Sequence, residues 1–431
     1  MSAPPSSGQA VARTGTPPSA RHGWVQAAVT VLAGVIVMGV LAALGLWAAG
    51  GTGIPDNGFP RVVAATVVMA GGGSVRLAGD AGALADTRAG LTAMPLSVTL
   101  AGALVIATGF LRPLRHRAMA GASELAGWAA RIAVLWLAAL VGLALAARQT
   151  FTVPLGNGTI GDIGDIGDLF GVNPSIGYTT DLAPTLLFGF LWLAGVLVLA
   201  LLASRGAPLP ARLLRRQESV RPAAYAMVVL LLACVCVGVV IGLVVAATRG
   251  HPARTLAVVL LALPNVIWPA FTIGLGATWN GRVDGPFGLP MPHLLDQVLR
   301  TPDVSTLDLH SLAQYDGRVW WLVAVDAVLT VGAAFAMAAR SPARIRPWRH
   351  AVHMALALVA AVLTICLICR ISAHYGLSLI GIGDLGGGLS GVLFLEPRLW
   401  SALGLAALWG LVAGFAGGLL ATRVRPRSEV P

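Results

Sequence analysis

The sequence predicts an all-α polytopic membrane protein, with about eight full transmembrane helices plus two broken or re-entrant helices. Of its 431 residues, 57% are hydrophobic and only 11% are charged. A soluble domain carries about 25% charged residues, so this chain has too few charges to cover a water-facing surface. Several apolar runs reach the roughly 20 residues that are needed to cross the hydrocarbon core. Short arginine clusters separate these runs, which is typical of loops between transmembrane helices.

Eight apolar runs are strong candidates for full spans. They are residues 24–49, 94–111, 125–147, 183–203, 223–247, 319–339, 351–371 and 399–421. Two weaker segments remain: 61–77, which is interrupted by three glycines, and 256–279, which contains Pro264, Asn265 and Pro269. Because proline lacks an N–H group and its ring clashes with the preceding turn, we expect the second segment to break or kink.

The arginine clusters predict how the chain is oriented. They lie at residues 112–117, 205–221, 340–349 and 423–427. If both weak segments span the membrane, some of these clusters fall on the outer side. If both weak segments enter and return on the outer side, eight crossings remain and every cluster lies inside. The positive-inside rule favours the second arrangement, with both termini in the cytoplasm and the chain in the plasma membrane.

The same order of features occurs twice along the chain. Residues 1–22 are polar and rich in proline and serine, which predicts a disordered cytoplasmic tail. Residues 23–221 and 222–427 then form two membrane halves, and 428–431 is a short C-terminal tail. Four spans in each half give both halves the same orientation. We therefore predict a two-fold parallel internal repeat, one of the repeat types of secondary transporters.

Several stretches resemble the streptophobe family of Streptomyces multi-pass membrane proteins. They are GGSVRLAGDAGALADTRAGLTAMPLSVTLAGALVIATGFLRPLR, LALPNVIWP, FGLPMPHLLDQVLRTPD and DGRVWWLVAVDAVL, together with the first apolar run. The SVRLAGD and LPNVIW stretches are also distantly similar to a group of actinobacterial proteins labelled as associated with cell division. The resemblance implies an actinobacterial membrane protein. It supplies no catalytic or binding residues.

The break around Pro264 is a candidate binding site. Backbone that is not helical at membrane depth is tolerated only when it is buried in protein or lines a wet cavity. The ends of half-helices expose N–H groups or carbonyls that bind ions or polar solutes, and Asn265 adds an amide there. The alternative is a structural kink that neighbouring helices repair.

Asp326 is the acid that falls inside a strong span. An aspartate at a helix centre costs roughly 2.5–3.5 kcal/mol on insertion scales, so it needs a partner, a proton or water. Arg131, His353 and Arg370 are the candidate partners. A structural ion pair with one of them and proton coupling both remain open.

Two glycine- and aspartate-rich loops are predicted on the outer side. The first contains Asp162, Asp165 and Asp168, and the second contains Asp384. Closely spaced carboxylates are ligands that Ca²⁺ prefers, but the three-residue spacing differs from that of an EF-hand loop. We therefore predict a solvated turn here and no metal site.

Three classes of function follow from these observations. The repeat, the broken segments and Asp326 favour a carrier of small solutes or ions. The scarcity of polar groups in the spans favours a scaffold for envelope or cell-division proteins. An enzyme is not predicted, since no nucleophile–base pair, phosphate-binding loop or metal set occurs, and no cofactor is expected. The predicted partners are the lipid bilayer and anionic lipid at the arginine-rich inner loops, and the net charge of +11 does not indicate nucleic acid.

Overall fold

The computed structural model describes eleven α-helices and eight strands. It covers residues 20–51, 58–73, 75–80, 85–114, 122–152, 175–204, 211–248, 250–284, 304–341, 346–379 and 391–424. The helices are α1 Ala20–Ala48, α2 Gly58–Ala70, α3 Leu96–Leu111, α4 Ala122–Ala146, α5 Leu182–Ala203, α6 Ala211–Thr248, α7 Pro252–Gly274, α8 Leu309–Tyr315, α9 Trp321–Arg340, α10 Pro347–Ile368 and α11 Leu399–Val424. The strands are β1 Val75–Asp80, β2 Ala85–Thr92, β3 Gln149–Thr152, β4 Ser175–Thr180, β5 Trp279–Asp284, β6 Ser305–Leu307, β7 Ile371–Leu379 and β8 Gly391–Pro397.

The helical class is confirmed. Eight of the described helices are long and apolar enough to cross a membrane: α1, α4, α5, α6, α7, α9, α10 and α11. The chain is therefore a multi-pass integral membrane protein. The shorter apolar helices are α2 and α3. The sequence interpretation gave a full span to α3 and a broken segment to α7, whereas by length alone α7 is the longer of the two helices.

Exposed tryptophans mark both ends of the helical bundle. Trp24 and Trp348 lie at one end, and Trp47, Trp320, Trp321 and Trp400 lie at the other, with exposures from 43% to 89%. Tryptophan prefers the level of the lipid headgroups, so the two groups mark the two membrane–water interfaces. The many exposed leucines and valines on the helices between them face lipid.

A β-sheet that the sequence did not predict covers one end of the bundle. Within the described residues it has eight strands in the order β3-β4-β1-β2-β7-β8-β5-β6, with antiparallel neighbours. The central pair, β2 with β7, joins the two halves of the chain from Ala85↔Leu379 to Thr92↔Ser372. These stretches were interpreted as loops because they are short, rich in glycine and weakly patterned.

The shared sheet constrains the path of the helices through the membrane. Because all four hairpins lie in one sheet, the helix ends next to them lie on one side of the membrane. Helix α3 leaves that side, α4 returns and α5 leaves, and α9, α10 and α11 repeat this path. Helices α6 and α7 must then make one net crossing between them; with the longer α6 as the crossing helix, α7 starts and ends on the side of the sheet. With α1 crossing and the 13-residue α2 staying near the sheet, eight crossings result, as predicted.

Helices α2 and α7 end in the same turn. Gly72 and Gly276, with φ of 94° and 97°, follow the last residues, Ala70 and Gly274, by two positions. In both turns an N–H donates to the carbonyl five residues back and another to the carbonyl three residues back: Gly73 to Val68 and Gly72 to Met69 after α2, Ala277 to Thr272 and Gly276 to Ile273 after α7. This is the Schellman motif, which needs a left-handed residue and favours glycine.

The spacing between these two turns extends into the strands that follow. The same number of positions separates Gly72 from Gly276, Val75 from Trp279, and Asp80 from Asp284, the last two pairs being the ends of β1 and β5. Going backwards, Pro60 corresponds to Pro264, and Gly58, where α2 begins, corresponds to Ala262. Ala262 has non-helical φ and ψ (−137°, 16°), so α7 kinks at the position that corresponds to the first residue of α2. The predicted break is confirmed at this position.

Candidate functional site

Asp326 is the most unusual polar side chain in the described part of the bundle. It lies on α9, five residues after the first residue of that helix, and is only 3% exposed. No N–H or O–H group of the described residues donates to its buried Oδ2 atom. A buried charge without a partner is costly, so this carboxyl needs a proton, a cation or water.

The neighbour of Asp326 is the last residue of α7. Oδ2 of Asp326 occupies the space next to Gly274 where a side chain would begin, so any Cβ at position 274 would collide with it. Helix α7 therefore ends inside the bundle, about 7–8 Å along α9 from its first residue at 1.5 Å per residue. The negative end of the α7 dipole is directed at this carboxyl.

A second polar atom lies one turn further along the same face of α9. Thr330 is fully buried, and its Oγ1 has no hydrogen-bond partner among the described residues. Residues four apart lie on the same helical face, so Asp326 and Thr330 form one polar strip that runs along α9 away from the sheet. On α6, the titratable side chain that interacts with Asp326 is Cys234.

The three predicted partners of Asp326 lie elsewhere. Arg131 packs against Gly23 in α1, in the other half of the chain. Arg370 makes a 2.6 Å ion pair with Glu396 at the exposed side of the sheet. His353 is half-buried on α10 and, counting back from the α9–α10 connection, is level with residue 334, about 12 Å along the axis from Asp326. No structural ion pair to Asp326 is seen among the described residues.

Asn265 does not meet Asp326. It lies nine residues before Gly274 on α7, about 13 Å along the helix. Its Oδ1 accepts from Leu96 N–H at 3.1 Å, and its Nδ2 donates to Met94 O at 2.9 Å. The amide therefore caps the first turn of α3 and ties the second half of the chain to the first.

Ser97 repairs the kink in α7. In an unbroken helix Leu263 N–H would donate to Val259 O. Here the Ser97 hydroxyl lies between them, donating to Val259 O at 2.9 Å and accepting from Leu263 N–H at 3.0 Å. A side chain inserted into the helical ladder is a known cause of a kink. Because Ser97 satisfies both Val259 O and Leu263 N–H, α3 packs against the break and repairs it. This is the structural alternative that the sequence left open.

Replacing Ser97 by alanine tests this repair. Two part-buried backbone groups lose their partner, so we expect the free energy of unfolding to fall by about 2 kcal/mol, the lower end for two groups that cost about 1–3 kcal/mol each when fully buried. The measurement is unfolding of the purified protein in mixed micelles. Ser401→Ala is the matched control, because that exposed hydroxyl bonds only to Arg398 O at the start of α11. Equal stability of both variants would mean that the kink does not depend on Ser97.

The other candidate residues are not in the described part of the chain. Asp162, Asp165, Asp168 and Asp384 lie at positions 153–174 and 380–390, which the structure leaves undescribed. Within the described residues, no group of three or more His, Cys, Asp or Glu side chains is placed to hold a metal ion.

Sequence reasoning missed three residues of the site. Ser97, Gly274 and Thr330 are ordinary residues for a membrane helix, and nothing in their spacing marks them. One signal was available, the similarity of FPRVV at 59–63 to LPNVI at 263–267. It aligns α2 with the second part of α7, so the end of α7 could have been predicted from the end of α2.

Comparison of the chain with protein-family models, with curated proteins and with solved structures finds no match. The class of the protein, a multi-pass integral membrane protein, therefore rests on its own helices.

Proposed function

We propose that this protein is a carrier of small solutes or ions in the plasma membrane, with Asp326 as its ion-coupling residue. The observation that supports it is the end of α7, which stops inside the bundle against the Asp326 carboxyl, whose Oδ2 has no hydrogen-bond partner among the described residues. Helices that end at membrane depth form the substrate and ion sites of many secondary transporters. An ionisable side chain in a span is a functional candidate for the same reason.

The proposal includes a two-fold parallel repeat. The order helix, helix, hairpin, two helices, hairpin, helix occurs twice, with α8 as an addition in the second half. The matching turns after α2 and α7 support the duplication. With the arginine clusters inside, the sheet lies on the outer side and both termini in the cytoplasm.

The arginine-rich inner side is proposed to contact anionic lipid. Arg349 lies 5.4 Å from the ring of Trp348, which is 54% exposed at the end of α10 opposite the sheet. An exposed tryptophan beside an arginine fits the headgroup region, where each basic residue adds about 1 kcal/mol of attraction to anionic lipid.

Proton-coupled flux through proteoliposomes tests the carrier proposal. Purified protein is reconstituted with a pH-sensitive dye inside, and gradients of Na⁺, K⁺ and small solutes are imposed one at a time. We expect at least one gradient to drive a protein-dependent pH change that falls about tenfold or more in Asp326→Asn, a change of about 1.4 kcal/mol or more in the barrier.

The matched control is Asp316→Asn. Asp316 caps the short 3₁₀ turn before α9 and lies near the surface, so this variant should transport like the wild type. No protein-dependent flux under any gradient rejects the carrier proposal, and equal protein-dependent flux in wild type and Asp326→Asn rejects the coupling role of Asp326.

A non-transporting scaffold for envelope or cell-division proteins is the second candidate. The packed break favours it, because Ser97 and Asn265 both use their polar groups in hydrogen bonds between α7 and α3. A scaffold predicts no protein-dependent flux in these liposomes.

A further inference from the structure

The last carbonyl of α2 and the corresponding carbonyl of α7 differ in their hydrogen bonds. After α2, the carbonyl of Ala70 accepts a hydrogen bond from the Thr99 hydroxyl of α3 at 2.9 Å. Thr99 lies in the first turn of the helix that follows the first hairpin. The buried carbonyl at the end of α2 is therefore paired.

The same turn after α7 lacks that bond. The carbonyls of Phe271, Thr272, Ile273 and Leu275 accept from Leu275, Ala277, Gly276 and the Trp409 indole, respectively. Among the described residues no donor reaches the carbonyl of Gly274, which corresponds to Ala70. Gly274 is buried, so this carbonyl does not have solvent as a partner.

The side chain next to Gly274 is that of Asp326. It lies in the early part of α9, the helix that follows the corresponding hairpin of the second half, as Thr99 does in α3. Oδ2 of Asp326 also has no donor within the described part of the chain. Two unpaired acceptors, a carboxylate oxygen and a helix-end carbonyl, thus share one buried place, and an ionised carboxylate would be repelled by the negative end of α7.

A single proton on Asp326 would give a hydrogen-bond partner to both the carboxyl oxygen and the carbonyl of Gly274. We propose that Asp326 is a proton-binding site, in which the neutral acid donates to the carbonyl end of α7 at Gly274, as Thr99 donates to Ala70. When the site releases its proton, the O–H bond of the acid breaks, the electron pair stays on the carboxylate and the proton passes to water. The end of α7 then loses its partner, so protonation of Asp326 and the position of the α7 end are coupled. This inference rests on the proposed function, because it names the ion that the carrier binds.

Few other titratable groups act on this proton. Cys234 of α6 lies close enough to Asp326 for an electrostatic interaction. On α7, His251 and Arg254 lie at the opposite end of the helix, about 30 Å away along it. On α10 and α11, His350, His353 and Arg423 lie towards the side opposite the sheet. Protonation therefore depends mainly on the local burial and on the end of α7.

Infrared difference spectroscopy of the full chain in lipid nanodiscs tests the proposal without any transport assay. We expect a carbonyl-stretch band of a protonated, buried carboxyl around neutral pH, which shifts in heavy water and is lost in Asp326→Asn. Asp316→Asn is the matched control and should keep the band, because Asp316 lies near the surface. Dicyclohexylcarbodiimide, which modifies protonated carboxyls in apolar surroundings, should label Asp326 in the wild type and nothing at position 326 in the variant.

A second variant separates protonation from folding. Asp326→Thr supplies the hydroxyl that Thr99 supplies in the first half, so it should fold and lack both the band and the label. A wild-type spectrum without an Asp326-dependent acid band overturns the proposal, and so does a carboxylate that stays ionised in Na⁺ or K⁺ buffer, which indicates a metal cation. The band with no flux in liposomes supports the proton site and rejects the carrier. Flux without the band rejects the proton site alone.

Discussion

Gly414→Leu is expected to separate α10 from α11 and to prevent the protein from accumulating in the membrane. Gly410, Gly414 and Gly418 lie four residues apart on α11 and form one face. A Cβ on Gly414 would lie 2.7 Å from the Cα of Ala351 and 2.8 Å from His350 O, both backbone atoms of α10. Small residues at this spacing let helix backbones approach closely in membranes, and backbone atoms cannot move aside as a side chain can. We expect a loss of more than about 3 kcal/mol, at the upper end of overpacking costs.

The same substitution at Gly404 is the matched control. Gly404 lies on the same helix, and no atom lies within 4 Å of the position of its Cβ, so leucine there projects into lipid. The measurement is the amount of folded protein in the membrane, followed by unfolding in mixed micelles. Similar accumulation of Gly404→Leu and Gly414→Leu would show that the close contact of the two helices is not needed.

Asn265→Leu is expected to cause the second-largest loss of stability. Leucine has the same branched skeleton as asparagine but leaves Leu96 N–H and Met94 O without partners. Two such groups at about 1–3 kcal/mol each give about 2–6 kcal/mol, and because the bond to Met94 O is only part-buried we expect a loss of about 2–4 kcal/mol.

The control for Asn265→Leu is the same kind of substitution at Thr364, a polar residue that faces lipid. Thr364 is exposed on α10, and its hydroxyl bonds only to Ala360 O within the same helix. Thr364→Leu should keep or raise the stability, since it removes a polar group from the lipid-facing surface. If Asn265→Leu unfolds at the same denaturant concentration as Thr364→Leu, the amide does not hold the halves together.

The sequence predicted the number of crossings and the place of the break, because these depend on local properties. Hydrophobic length, arginine position and the missing N–H of Pro264 act wherever the chain lies. Burial of Asp326 followed from its place in an apolar run, and the structure shows it.

The contacts of these residues could not be predicted, because they depend on which helices meet and at what depth. Arg131 and His353 were expected near Asp326 from their position in neighbouring spans, yet they lie at other levels or in the other half. Ser97, which repairs the kink, is far from α7 in the sequence. The strands were missed because their pairing connects distant segments and leaves little periodic signal in glycine-rich stretches.

The order in which the sheet is completed has a consequence for biosynthesis. Strand β2 pairs on one side with β1, which precedes it closely, but its other edge waits for β7, nearly 300 residues later in the chain. An unpaired strand edge is a template for pairing with another chain. While the ribosome makes the second half, this edge is open on newly inserted molecules, so the first half is the part of the protein that is prone to misassembly when synthesis stalls or when many copies are made close together.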